Sequence, residues 1–110
     1  MKTFLMLDRL TGARTVPLEY RPLKVTVGDQ THELALHRSG SHWLISDPIS
    51  GGGIAKVGAT YKGMPCWAEK MGVREATIEA RSTISQLVHR YGGPDVWNTR
   101  LAAARAMYAP

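Results

Sequence analysis

The stretch LKVTVGDQTHELALHRSGSHWLI, residues 23–45, decides the fold. Leu23, Val25 and Val27 alternate with Lys24 and Thr26, the period of a half-buried strand. Gly28-Asp29 is a two-residue hairpin loop of the Gly-X kind. That loop sets Val25 opposite His32 and Leu23 opposite Leu34. Reading Arg38-Ser39-Gly40-Ser41 as a second, four-residue loop sets Leu36 opposite Trp43 and Leu34 opposite Ile45. One sheet face then collects Leu23, Val25, Leu34, Leu36, Trp43 and Ile45, so turn chemistry and alternation agree.

Outward from this meander, Thr3–Leu7 (TFLML) reads as a buried strand. Thr15–Tyr20 reads as a return strand placed on a sheet edge by Pro17, which has no N–H to donate. Ile54–Tyr61 reads as a further strand after Gly51-Gly52-Gly53, and Lys62–Gly72 as a connection or a short helical turn from Pro65. Val73–Tyr91 is the clearest helix. Val73, Ala76, Thr77, Ala80, Ile84, Leu87, Val88 and Tyr91 form a stripe roughly 120° wide, with Ile78 on the opposite side. Each large apolar residue of such a stripe gains about 1.5–3 kcal/mol on burial, which requires a sheet or another helix as cover. Glu75 and Glu79 suit the dipole at the start and His89 and Arg90 suit it at the end. After Gly92-Gly93-Pro94 a second helix is expected over Asp95–Tyr108, with Trp97, Leu101, Ala104 and Tyr108 on one face. The fold class is therefore α+β: a small antiparallel sheet of four or five strands followed by two helices, the first packed on the sheet.

The 110 residues suit one domain, residues 1–110, and 44% hydrophobic content is enough for one core. No apolar run is long enough to cross a membrane. The opening MKTFLMLDRL has a lysine and a short apolar run, but Asp8 and Arg9 break it, so no secretion leader is expected. One cysteine, Cys66, excludes an internal disulfide and suits a cytoplasmic location. The net charge is +5 and the pI about 9.7. The excess is scattered: six Lys/Arg against five Asp/Glu in residues 1–50, and eight against four in residues 51–110. That balance permits an acidic protein partner or nucleic acid, and equally a solubilising surface.

Four stretches carry possible chemistry. His32-Glu33-Leu34-Ala35-Leu36-His37 resembles the His-Glu-x-x-His zinc motif with one extra residue, a spelling found in the dipeptidyl peptidase III family. That resemblance implies His32 and His37 as zinc ligands and Glu33 as the base, on a helix with a further carboxylate from downstream. A helix over Asp29–Arg38 would carry it; the hairpin register makes the same segment a strand, where His32 and His37 point to opposite faces. The register also makes His37 and His42 cross-strand neighbours beside an exposed loop, a pair that needs a third ligand to hold a metal. Pro65-Cys66-Trp67 has no nucleophile signature around it. Ser50–Gly58, SGGGIAKVG, lacks the Gly-Lys-Ser/Thr of a phosphate loop and leads into a strand.

The sequence thus assigns no catalytic residue and no cofactor. The expected function is that of a small non-enzymatic protein acting by occupying a surface of a larger protein partner. Short, motif-poor accessory proteins of phage and mobile elements have this profile, among them inhibitors of host defence such as anti-CRISPRs. Partner contacts are assigned to Arg74, Ile78 and Arg81 on the first helix, to Lys56 and Lys62, and to Trp97, Arg100 and Tyr108 on the second. A homodimer through the C-terminal helix is the companion expectation. The alternative is a nucleic-acid-binding domain using scattered Lys/Arg, with Asn98, Thr99 and Arg100 exposed on a recognition helix. A third reading is a small metal-dependent enzyme using His32/His37 or His37/His42.

Overall fold

The computed structural model describes residues 2–8, 10–39, 42–57, 60–61, 64–65 and 72–108. Among these, β1 (Lys2–Leu7), β2 (Arg14–Val27), β3 (Gln30–Ser39), β4 (His42–Ser46) and β5 (Gly53–Val57) form one antiparallel sheet in sequential order. β6 (Thr60–Tyr61) and β7 (Met64–Pro65) form a separate ribbon. Then follow α1 (Val73–Arg90) and α2 (Pro94–Met107). The expected α+β order holds, and both helices end within a residue of the expected bounds.

The β2–β3 register is the expected one, Val25 opposite His32 and Leu23 opposite Leu34. Gly28 takes φ +63° in the connecting turn, and a Cβ there would press on Pro94 at 3.1 Å. The β3–β4 register differs from the expectation. Ser39 pairs with His42 and Leu36 with Ile45, so the strands run two residues further before turning. A shift of two preserves which face each side chain takes. The expected face therefore survives intact, with Leu23, Val25, Leu34, Leu36, Trp43 and Ile45 all buried and joined by Val27 and Val57. The shift does separate His37 from His42: His37 stands opposite Leu44. His37 is buried rather than exposed at a hairpin tip.

β2 is one long strand, Arg14–Val27, where the sequence reads as two, Thr15–Tyr20 and the alternation from Leu23 to Val27. Its first part pairs with β1 and Arg21–Val27 pairs with β3. Pro17 and Pro22 thus each lie where the strand has a ladder on one side only, the place a missing N–H is tolerated. This offset pairing brings β1 over the sheet face opposite α1. Phe4 meets the edges of Tyr20 and His37, with ring centroids 5.6 and 5.1 Å apart, in a second small core with Ala35. The curl continues until the Leu7 N–H reaches the Gly51 carbonyl at 2.8 Å. Gly51 is required there: its φ is +78°, and any Cβ would collide with the Leu5 carbonyl oxygen.

α1 packs on the face that holds Leu23, Val25, Leu34 and Ile45 through Ala76, Ala80 and Ile84, with Val73 and Val88 partly buried beside them. Two alanines with no exposed surface let the helix axis lie close to the sheet. The expected stripe is therefore narrower in fact. Leu87 and Thr77 flank it half-buried, and Tyr91 is exposed. Thr77 in addition satisfies its hydroxyl on the Val73 carbonyl. α2 completes the core with Trp97 and Leu101. Among the described residues no helix is long and apolar enough to cross a membrane.

Candidate protein-binding surface

Asn98, His32, Arg105 and Asp47 are committed to one another beside the core. Asn98, buried on α2, donates from Nδ2 to the Val27 carbonyl at 3.0 Å. Its Oδ1 must then accept from His32 Nε2, 2.8 Å away, so the His32 proton sits on Nε2. That leaves His32 Nδ1 to accept from Arg105 Nη1, at a long 3.5 Å. Arg105 Nε and Nη2 grip the carboxylate of Asp47, which also accepts from the backbone N–H groups of Ile49 and Ser50. Burial alone would raise the Asp47 carboxyl, but these donors together hold it below its ordinary value. The chain Val27–Asn98–His32–Arg105–Asp47 ties α2 to the sheet.

On the face opposite α1 His37 Nε2 and Ser46 Oγ share a hydrogen bond of 2.8 Å. Burial pushes the His37 imidazole below its ordinary value because the charged form loses its water. His32 and His37 thus lie on opposite faces of a strand, not one above the other on a helix, which removes the zinc-motif reading. Among the described residues no group of three or more His, Cys, Asp or Glu side chains is placed to hold a metal ion.

The assigned contact residues divide into separate places. Arg74, Ile78 and Arg81 come together: their spacing puts them on one helical face, directed away from Ala76 and Ala80. Ile78 is 61% exposed. Arg81 leans across to β2, where Nη2 donates to the Lys24 carbonyl at 3.2 Å. Lys56 is exposed on β5, opposite Leu44, and does not join this face. Lys62 and Cys66 lie outside the described residues. Trp97 is buried in the protein's own core, edge-on to His32, with only 5% of its surface exposed. Arg100 sits over the Tyr91 ring at 5.0 Å, and Tyr108 is half-buried at the end of α2.

Sequence reasoning missed two things here. Asn98 was expected on an exposed recognition face, whereas the inward face of α2 runs Trp97, Asn98, Leu101 and Arg105. Helical periodicity counts apolar residues, so inward-facing Asn and Arg leave no signal. The second is an open groove of about 410 Å³ between the β2 edge and α1, bounded by Lys24, Thr26, Arg81, Ile84, Ser85 and Val88. It adjoins the Arg74–Ile78–Arg81 face through Arg81 and Ser85. Lys24 and Arg81 are its ionisable lining, both cationic. Comparison with models of known protein families, with curated proteins and with solved structures finds no match, so the surface itself is the ground for a functional reading.

Proposed function

We propose that this chain is a small non-enzymatic binding protein that acts by occupying a surface of a larger protein partner, with the outward face of α1 as its contact. The observation that carries this reading is Ile78. A large aliphatic side chain stands 61% exposed between two arginines, opposite the face that packs on the sheet. One exposed apolar residue is ordinary; one flanked by Arg74 and Arg81 and adjoining a groove has the make-up of an interface anchor. The buried His32, His37 and Asp47 support the non-enzymatic reading, since they are held by internal hydrogen bonds and none lines the groove. The size and motif-poor sequence fit accessory proteins of phage or mobile elements, including inhibitors of host defence, and that is the finer form of the proposal.

The test is a photo-crosslinking amino acid at position 78, with position 99 on the exposed side of α2 as control. Irradiation in extract of the source cells should give a protein adduct of defined mass from position 78 only. Excess wild-type protein should suppress it and excess Ile78→Asp should not. Equal adducts from both positions would remove α1 as the contact. A nuclease-sensitive adduct would replace a protein partner with nucleic acid.

A further inference from the structure

The offset pairing of β2 leaves one sheet edge unpaired among the described strands. Over Arg21–Val27 the strand is paired with β3 on one side, and among the described residues no strand pairs on the other. The two-residue turn makes Val27 and Gln30 the hydrogen-bonded pair that closes the hairpin. Alternation then makes Val25–His32 and Leu23–Leu34 hydrogen-bonded pairs as well, and directs the N–H and C=O of Lys24 and Thr26 outward. The Arg81 contact agrees, because it is the Lys24 carbonyl that Nη2 reaches. The N–H groups of Lys24 and Thr26 and the Thr26 carbonyl thus face the groove. Pro22, with no N–H, marks where the donors begin.

We propose that this edge receives an extended acidic segment of the partner protein, added as a strand beside Lys24–Gly28. The inference rests on the binding role proposed above and names the chemistry of the partner. Backbone groups of the segment pair with Lys24 and Thr26, as in other strand additions. Its alternate side chains point into the groove against Ile84 and Val88. Carboxylates on the segment meet Arg81 on the α1 side of the edge and Lys24 on the other face, where its side chain stands beside Glu33. Glu33 stands opposite Lys24 in the ladder and interacts with its charge, but both its oxygens are bound by Lys2 at 3.0 Å, so one carboxylate is shared between two lysines and Arg81 is left uncompensated by it. Charge also decides against a second copy of this chain, because a twofold pairing of the same edges would set Lys24 and Arg81 against their own counterparts.

The probe is a short fluorescent peptide alternating valine and glutamate, compared with one alternating valine and lysine. Binding is followed by polarisation and by amide-resolved NMR with hydrogen exchange. The glutamate peptide should saturate the protein, shift the Lys24 and Thr26 amides and slow their exchange, while the lysine peptide binds at least about tenfold more weakly. Arg81→Glu should reverse the preference. Thr26→Pro removes an outward donor without breaking the β3 ladder, and should abolish peptide binding in a folded protein. The proposal is overturned if the glutamate peptide does not bind, if it binds without moving these amides, or if both peptides bind alike. It is also overturned if raising the protein concentration alone protects the two amides, which would mean a second copy. Peptide failure with the position-78 adduct intact removes strand addition and leaves the binding role standing. Loss of that adduct with peptide binding intact removes the α1 contact instead.

Discussion

Arg105 on α2 holds the carboxylate of Asp47, a residue 1% exposed after β4, with Nε and Nη2 at 3.0 to 3.2 Å. Removing one partner of such a pair leaves the other charge buried and unmatched. Arg105→Met should therefore cost about 3 kcal/mol, and Asp47→Asn a similar amount. The double variant should lose less than the two single losses added together. Urea titrations of the four proteins give the coupling, and strict additivity would show the two side chains to be independent.

Asn98 and Thr99 are neighbours with opposite surroundings. Asn98→Ala strands the His32 Nε2 proton and should cost about 1–3 kcal/mol. Thr99 is exposed, and Thr99→Ala should stay within about 0.5 kcal/mol. Equal losses in thermal melts would mean that α2 turns its other side to the sheet.

Three substitutions around α1 report its orientation. Ile84→Ala should cost about 2–5 kcal/mol as a core truncation. Leu87→Ala, at the half-buried flank, should cost less. Ile78→Asp should leave the melting temperature nearly unchanged while removing partner contact. A large stability loss from Ile78→Asp would place that residue in the core.

How much of this was legible in the sequence depends on where the information is local. The β2–β3 register was legible because Gly28-Asp29 allows one tight turn and the alternation on both sides obeys it. The β3–β4 turn was misplaced because Arg38-Ser39-Gly40-Ser41 is compatible with a longer loop, yet the face assignments held because the slip was even. The exposure of Ile78 was legible from helical phase alone. The Asn98–His32–Arg105–Asp47 chain was not, since polar residues are scored as outward until a partner is in place. The groove was not legible either: it exists because β1 and β3 take different lengths of β2, a fact of pairing rather than of composition.

Acid should destabilise the protein in two stages. His37 and Asp47 both bind protons less readily folded than at their ordinary values of 6.5 and 3.8. The unfolded chain then holds more protons in each window, so stability falls as pH falls. The His37 contribution is complete above its ordinary value and is withdrawn below it; that of Asp47 is withdrawn below 3.8. Melting temperatures measured from about pH 8 to about pH 5 should decline for wild type and decline less for His37→Gln. Parallel declines would exclude His37 as the first-stage group.

The bond between the Leu7 N–H and the Gly51 carbonyl joins the end of β1 to the loop after β4, far apart along the chain. This has a kinetic consequence. The β2–β3–β4 meander closes through short turns between sequence neighbours, whereas the Leu7–Gly51 closure must wait for the loop after β4. The closure then belongs to the downhill side of the folding barrier. Gly51→Ala, which blocks it, should quicken unfolding in a stopped-flow chevron and leave the refolding limb almost unmoved. Hydrogen exchange should show β1 opening before the meander does, so that the first element of the chain behaves as a latch on a sheet already formed.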